Sequence, residues 1–222
     1  MSEVGVRESV HNGRRAAARM VERLKAQGIR DERVLDAMLR VPRQNFVDKG
    51  LAFSAYDDTP LPIGFQQTIS QPYVVARMIE LLRAGGRELG RTLEVGAGCG
   101  YQAAVLSHLA TDVYAVERIR GLLEQAKNNL RAFRLANVRL KHADGSLGLP
   151  EAAPFDTIIV AAGARGIPHS LRDQLAPGGR MIVPVGDAKG DQWLVMIERS
   201  GDSFRETRFE AVRFVPLLSG LE

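Results

Sequence analysis

The 222-residue chain contains only one cysteine, Cys99. A single thiol cannot form an intrachain disulfide or a cysteine-based metal cage, so neither can stabilise the fold. No apolar run approaches the roughly 20 residues that a membrane-spanning helix needs. The first fifteen residues, MSEVGVRESVHNGRR, also lack the apolar centre of a signal peptide. Together these absences predict a cytoplasmic protein that folds around an ordinary hydrophobic core.

Several catalytic patterns are missing as well. The sequence has no G-x-x-x-x-G-K-[ST] phosphate loop, and its Asp, Glu and His residues show no metal-ligand spacing. Its four histidines are scattered along the chain, and we expect each to be structural or on the surface: His11, His108, His142 and His169. We therefore expect no metal centre and no acid–base pair built on histidine.

Basic residues are concentrated near the N-terminus. The net charge of the chain is +4, and residues 1–50 account for all of it, with 11 Lys/Arg against 7 Asp/Glu. Such a segment could bind nucleic acid or another acidic partner. The alternative is the solvated face of two amphipathic helices. We favour this alternative because the basic residues are interleaved with Ala, Val, Leu and Met at helical spacing.

The spacing of apolar residues predicts helices first, and alternating strands and helices afterwards. In the first 90 residues we predict helices at 14–27, 31–40 and 70–83, with Ser70 as the N-cap of the third, and a loop at 55–64. From residue 91 we predict strands at 92–95, 113–117, 138–141, 155–160 and 180–184, and helices at 101–110, 121–135 and 168–175. Two further strands, at 193–199 and 209–215, are joined by a turn at 200–203.

This alternation is typical of a doubly wound, mostly parallel α/β sheet with helices on both faces. The last two strands predict an antiparallel pair near the C-terminus. We expect one domain over residues 1–222, with a helical N-terminal part (1–90) and a Rossmann-like core (91–222).

The strongest local motif is LEVGAGCGYQ, from Leu93 to Gln102. A strand enters a turn that contains Gly96, Gly98 and Gly100, and a helix follows. Glycines allow a sharp turn and the close approach of a ligand, and this turn lies at the carboxyl end of a strand, where open α/β sheets bind ligands. The dinucleotide fingerprint G-x-G-x-x-G would need a third glycine where Tyr101 stands, which disfavours a nicotinamide cofactor.

Three acidic residues refine this prediction. Glu117 ends the second strand, 21 residues after Gly96, where a carboxylate accepts hydrogen bonds from ribose hydroxyls. Asp144 follows the third strand and is placed to reach an adenine edge, while Glu94 could meet the ammonium of a methionine moiety. The alternatives are a surface carboxylate for Glu117, an Asp-Gly turn for Asp144 and an acceptor for loop amides for Glu94. The combination favours a nucleoside site.

Six segments, in order along almost the whole chain, resemble the protein-L-isoaspartate O-methyltransferases, a family of class I S-adenosylmethionine-dependent enzymes. They are VPRQNFV (41–47), AYDDTPLPIGFQQTISQPY (55–73), LEVGAGCGYQ (93–102), ADGSLGLPEAAPFDTIIV (143–160), LAPGGRMIVPVG (175–186) and VRFVPL (212–217). The TIS tripeptide with its flanks and VRFVPL are specific to that family, whereas the glycine turn alone indicates only a methyltransferase.

The resemblance implies a protein repair enzyme that methylates the side-chain carboxylate of L-isoaspartyl residues in damaged proteins and peptides. It implies a catalytic role for Ser70 and a substrate pocket lined, largely through backbone, by Val212, Phe214 and Val215. The cofactor, S-adenosyl-L-methionine, would be bound by Gln67, Thr68, Ile69, Glu94, Gly96, Gly98, Gly100, Glu117, Asp144 and Gly145. The sequence departs from the family pattern at Gln66, at Ala143 and at residues 161–165.

The chemistry agrees with this interpretation. A carboxylate has an ordinary pKa of about 4, so it is ionised at neutral pH and attacks a sulfonium methyl group without a general base. Two alternatives remain from the residues: a methyltransferase of the same fold that acts on a small molecule or RNA, and a non-catalytic module that kept the nucleoside pocket. We expect isoaspartyl proteins as partners, no nucleic acid or membrane, and a monomer.

Overall fold

The computed structural model describes residues 3–186 and 190–222, with side chains from residue 13 onward. Its α-helices are α1 (Glu3–Ala26), α2 (Glu32–Arg40), α3 (Pro72–Leu82), α4 (Tyr101–Leu106), α5 (Arg120–Arg131) and α6 (His169–Arg172). Its strands are β1 (Leu61–Gly64), β2 (Gln67–Ile69), β3 (Arg91–Val95), β4 (Asp112–Glu117), β5 (Val138–His142), β6 (Phe155–Val160), β7 (Leu175–Gly186), β8 (Gln192–Ser200) and β9 (Ser203–Val212). Short 3-10 turns lie at Arg43–Phe46, Lys49–Leu51, Gly145–Leu147 and Pro150–Ala152.

Seven strands form one mixed sheet in the order β5-β4-β3-β6-β7-β8-β9. The strands from β5 to β7 are parallel, and β8 and β9 add antiparallel partners at one edge. This confirms the predicted fold class. The strand order reverses between β3 and β6, so the loops after these two strands diverge and leave a crevice at their carboxyl ends.

The apolar side chains of the central strands alternate between the two faces of the sheet. Ile159 packs in the larger hydrophobic cluster, which includes buried residues of α1 to α5. Its neighbours Ile158 and Val160 belong to the second cluster, which is covered by Leu171 of α6. Burial on both faces explains why β6 ends in an unbroken apolar run at residues 158–160.

In the N-terminal region most apolar residues of α2 are buried, and several basic residues are exposed. Four residues of α2 are buried, Val34, Leu35, Ala37 and Met38, and Asp31 caps the helix by accepting from the amides of Arg33 and Val34. The exposed basic residues of this region include Arg14, Arg15, Arg19, Arg30 and Arg40. Arg43 is different, because it is fully buried.

The prediction that Ser70 caps the third helix is wrong. Helix α3 begins at Pro72, and the capping position is Gln71, which makes no side-chain capping hydrogen bond. Proline suits the first helical position because its fixed φ is already helical and its missing N–H is not needed there. It also forces the preceding residue into an extended conformation, so the helix cannot begin earlier.

Two other predicted boundaries, those of the loop at 55–64 and of the last strand, differ from the boundaries in the structure. The end of the predicted loop at 55–64 is strand β1, which pairs with β2 in a short antiparallel hairpin. Strand β9 runs over Ser203–Val212 rather than 209–215, because it pairs with β8 across a two-residue turn at Gly201 and Asp202. Its N-terminal half is polar and exposed, so it shows little of the apolar pattern of a strand. Among the described residues, no helix is both long and apolar enough to cross a membrane.

Candidate active site

The glycine turn has the geometry that the motif predicts. Gly96, Gly98 and Gly100 all adopt positive φ angles, of 89°, 53° and 88°. The amides of Gly96 and Ala97 donate to the carbonyl of Val116 at 2.9 and 3.0 Å, which fixes the turn against β4. Gly96 and Gly98 line the crevice at the carboxyl end of β3.

Gly100 serves a different purpose. A Cβ at this position would lie 3.2 Å from the Leu130 side chain and 3.3 Å from that of Ala126, both on α5. It is not among the residues that line the crevice. We therefore assign Gly100 to close packing between the turn and α5 rather than to ligand contact.

Glu117 holds the glycine turn from the end of β4. One carboxylate oxygen accepts from the amide of Gly98 at 2.9 Å, and the other accepts from the amide of Ile119 at 2.9 Å. The side chain is 5% exposed and lines the crevice. Each carboxylate oxygen has a second lone pair, so Glu117 keeps the capacity to accept further hydrogen bonds from a ligand.

Glu94 is fully buried in β3, beside the turn. One of its oxygens accepts from the side-chain amide of Gln102 at 3.1 Å, and the other, Oε2, has no hydrogen-bond partner. Burial raises the pKa of Glu94 well above its ordinary value of 4.5, against the opposing effect of the Gln102 hydrogen bond. The alternative role of Glu94, acceptor for loop amides, falls to Glu117 instead. A buried carboxyl oxygen without a partner is suited to a cationic ligand group.

Asp144 is engaged by the C-terminal tail. Its Oδ1 accepts from the amide and hydroxyl of Ser146, and its Oδ2 accepts from the amide of Gly220 at 2.6 Å. Burial acts to raise the pKa of Asp144, but these hydrogen bonds outweigh it and the pKa is lowered. The next residue, Gly145, lines the crevice, whereas Asp144 is not among its lining residues.

The hairpin formed by β1 and β2 covers the crevice. The Ile63 side chain lies 3.2 Å from the position that a Cβ of Gly98 would occupy. At the hairpin tip, Phe65 and Gln66 have φ angles of 51° and 56°, a left-handed pair typical of a type I′ turn. The Phe65 ring lies over Gly121 of α5 so closely that a Cβ there would clash with it. Left-handed backbone favours glycine, so Gln66 holds a conformation that residues with a side chain rarely adopt.

Three cavities meet beneath this hairpin. We call them the nucleoside cleft, which is lined by Gly98, Glu117 and Gly145, the neck, which is lined by Glu94, and the outer chamber. Thr68 and Ala161 line all three. The cleft and the neck measure about 70 and 40 Å³, and the chamber about 560 Å³. A ligand in the cleft and neck would thus meet a second ligand in the chamber at one junction.

Ser70 stands at that junction. It is half-buried and lines both the neck and the chamber. The neighbouring predicted residues divide between the cavities, with Gln67 on the cleft and Ile69 on the neck. The predicted substrate residues Val212, Phe214 and Val215 all line the chamber. The structure therefore brings Ser70 between the two groups of residues.

Part of the VRFVPL backbone is already hydrogen-bonded within the protein, at Phe214 and Val215. The amide of Phe214 donates to the Gln192 side chain at 2.7 Å, and its carbonyl accepts from the same side chain at 3.1 Å. The carbonyl of Val215 accepts from the amide of Gly163 at 2.8 Å. These pairings shape the chamber wall, so contact with a peptide at Phe214 would come from its side chain.

Two polar residues at the site were missed by sequence reasoning. Gln102 is the second residue of α4 and donates to the buried Glu94. Its place within the quoted motif is a signal that could have identified it. Gln192 is the first residue of β8 and lies 22 residues before Phe214, which follows the end of β9. Nothing in the local sequence around Gln192 indicates that its side chain would fix the chamber wall.

The chain is similar over nearly its whole length to known proteins. A family model for the protein-L-isoaspartate(D-aspartate) O-methyltransferases matches residues 15–222. The chain is 72% identical over 218 residues to the protein-L-isoaspartate O-methyltransferase of Azoarcus sp., covering 98% of this chain and 99% of that protein. It is 76% identical over 208 residues to the protein of the same name from Aromatoleum aromaticum, covering 94% of each.

The chain is also similar to solved structures that carry the same family name. A protein-L-isoaspartate O-methyltransferase superposes with a TM-score of 0.81 at 30% identity, over 92% of this chain and 67% of that one. Another, from Plasmodium falciparum in complex with S-adenosyl-L-homocysteine, superposes with a TM-score of 0.78 at 27% identity, over 90% of this chain and 96% of that one.

Proposed function

The chain belongs to the protein-L-isoaspartate(D-aspartate) O-methyltransferase family, and we propose that its cleft and neck bind the cofactor and its chamber binds the peptide substrate. It is an S-adenosylmethionine-dependent methyltransferase whose substrates are isoaspartyl-containing proteins. The residue assignments that follow are our proposal. The observation that carries them is the unpartnered, buried oxygen of Glu94 in the neck, next to the junction with the chamber.

The cleft and neck fit the cofactor. Glu94 would accept from the ammonium of its methionine part, and Glu117 would accept from its ribose hydroxyls. Gly96 and Gly98 have no side chains, so the cofactor could approach the backbone of the glycine turn closely. Gly145, together with the C-terminal tail that binds Asp144, would enclose the adenine. The cleft and neck are far smaller than the roughly 300–1,000 Å³ of a small-molecule site. The covering hairpin, with Gln67, Thr68 and Ile69, would therefore move to admit the cofactor.

The chamber would hold the isoaspartyl peptide, with Val212, Phe214 and Val215 as its wall. The Ser70 hydroxyl would donate to one oxygen of the acceptor carboxylate, so that the other oxygen faces the junction. Bound S-adenosylmethionine supplies an electrophilic methyl group on a sulfonium. Because the acceptor is already ionised at neutral pH, the chain needs only to orient it and exclude water.

We also propose that residues 1–222 form one domain, a cytoplasmic monomer that binds neither nucleic acid nor membrane. Support for one domain comes from the larger hydrophobic cluster, in which Met20 and Leu35 of the N-terminal helices join Ile159 and Ile182 of the sheet. The similarity to protein-L-isoaspartate O-methyltransferases over nearly the whole chain supports a protein substrate over the alternative of a small molecule or RNA.

The proposal is tested with labelled S-adenosylmethionine and two peptides that differ only in one residue, L-isoaspartate or normal L-aspartate. We expect label in the isoaspartyl peptide and little in the other, because the isoaspartyl linkage moves the carboxylate by one methylene relative to the main chain. Equal rates on the two peptides would contradict the proposed recognition. Absence of label in both, with cofactor binding intact, would contradict the reaction itself.

A further inference from the structure

Arg43, in the segment VPRQNFV, is the largest fully buried side chain of the described part of the chain. It begins the 3-10 turn Arg43–Phe46, directly after Pro42. An arginine normally keeps its guanidinium in water or in an ion pair, so complete burial requires an explanation. The reaction described above makes no use of this residue.

The guanidinium of Arg43 ties three separate segments together. Its Nε donates to the carbonyl of Ala55 at 2.7 Å, and its Nη2 donates to the carbonyl of Ser70 at 2.7 Å. Its central carbon lies 4.7 Å from the ring centroid of Tyr101, the first residue of α4 after the glycine turn. One rigid, planar group thus fixes Ser70 relative to the start of the helix that follows the cofactor turn.

This arrangement is energetically costly. Among the side chains that the structure describes, no carboxylate forms an ion pair with Arg43, and its buried Nη1 has no hydrogen-bond partner. Burial lowers the pKa of Arg43, against the opposing effect of Tyr101. An uncompensated buried charge destabilises a fold, and such violations concentrate at functional sites. A neutral donor would satisfy one carbonyl at lower cost, but only the guanidinium fork reaches both.

We propose that Arg43 is a positioning residue for methyl transfer, which holds the Ser70 backbone so that the Ser70 hydroxyl stays at the junction of neck and chamber. The inference rests on the proposed role of Ser70. It predicts that loss of the fork lowers turnover.

The experiment compares Arg43→Lys, Arg43→Gln and a matched control, Arg83→Lys. Arg83 is 3% exposed and pairs with Asp31 at 2.8 Å, away from the site. Thermal melting, affinity for S-adenosylhomocysteine, kcat and the KM for an isoaspartyl peptide are measured for each. Ser70→Ala and the double variant Arg43→Lys/Ser70→Ala complete a double-mutant cycle.

We expect Arg43→Lys to keep cofactor affinity within about twofold, because the hydrogen bonds of Arg43 go to Ala55 and Ser70 and not to a residue proposed to bind the cofactor. It should lower kcat by about 10- to 100-fold, as for a misplaced catalytic group. Arg43→Gln should lower kcat similarly, because it too lacks the guanidinium fork. Arg83→Lys should lower the melting temperature without changing kcat. In the Ser70→Ala background, Arg43→Lys should change kcat by less than about twofold, because the group that it positions is gone.

Three results would overturn the inference. They are a kcat for Arg43→Lys close to that of wild type, an equal loss of kcat with and without Ser70, and loss of cofactor binding in both Arg43 variants. The last would show that Arg43 serves only the fold. A normal kcat for Ser70→Ala would instead refute the role of Ser70, and inactivity of the wild type on the peptide would refute the function, so the failures are distinguishable.

Discussion

Replacement of Glu94 by glutamine should separate stability from binding. Gln keeps the shape and the acceptor for Gln102 but removes the charge of a side chain that is fully buried and has one unpartnered oxygen. A hydrogen bond to a charged group contributes about 1.5–3 kcal/mol. At about 1.4 kcal/mol for each factor of ten, Glu94→Gln should weaken cofactor binding by about 10- to 150-fold.

The same variant should be at least as stable as wild type without ligand. Burial raises the pKa of Glu94 above its ordinary value of 4.5, so the native state holds this proton more tightly than the unfolded chain. The free energy of unfolding therefore falls as pH rises above 4.5, until the pH passes the raised pKa. Glutamine has no such penalty, so the advantage of Glu94→Gln should grow with pH over this window and be absent below it.

Two assays check these expectations. Calorimetry with S-adenosylmethionine gives the affinity, and in buffers of different ionisation enthalpy it should show proton release on binding to wild type, because a nearby ammonium lowers the pKa of a carboxyl. Denaturant melts from pH 4 to pH 8 give the stability difference. Unchanged affinity in Glu94→Gln, or a less stable variant at neutral pH, would refute the reasoning.

Three further perturbations test other parts of the site. Glu117→Ala should cost about 1.5–3 kcal/mol of cofactor affinity, and unchanged binding by calorimetry would remove Glu117 from the site. Ser70→Asp should melt near wild type, because the cap of α3 lies at Gln71, yet lose most turnover through repulsion of the anionic acceptor; normal steady-state methylation would contradict this. Gly121→Ala should displace the Phe65 ring at a cost of about 1–3 kcal/mol and speed cofactor release in stopped-flow experiments. Phe65→Ala in the same chain should restore the slower rate, and no restoration would exclude the hairpin contact as the cause.

Strand β6 could be predicted from sequence because burial on both faces makes Phe155 and residues 158–160 apolar. The same logic failed for β9, whose polar residues at 203–208 are placed in the sheet by pairing with β8 and not by their own pattern. It also failed for β1, which is four residues long and pairs only with β2. In both cases tertiary pairing decided the conformation over local propensity.

Some residues of the candidate site could likewise be predicted from the sequence, and others could not. Glu94 and Glu117 could be located because they lie at fixed distances from the glycine turn on consecutive parallel strands. The hydrogen bond from the Gly220 amide to Asp144 joins residues that are 76 positions apart, so no local sequence pattern predicts it. Arg43 is the sharpest case, since a charged residue in a basic segment predicts a solvated side chain, and only its three partners in space explain its burial.

The most direct test of the account is a crystal structure of the chain with S-adenosylhomocysteine and an isoaspartyl peptide. We predict that the amino end of the ligand lies against Glu94 and its ribose against Glu117. We further predict that the isoaspartyl carboxylate hydrogen-bonds Ser70, with one oxygen turned toward the sulfur at Thr68 and Ala161. A peptide bound outside the chamber, or a carboxylate held away from Ser70 with the ligand in place, would contradict the account.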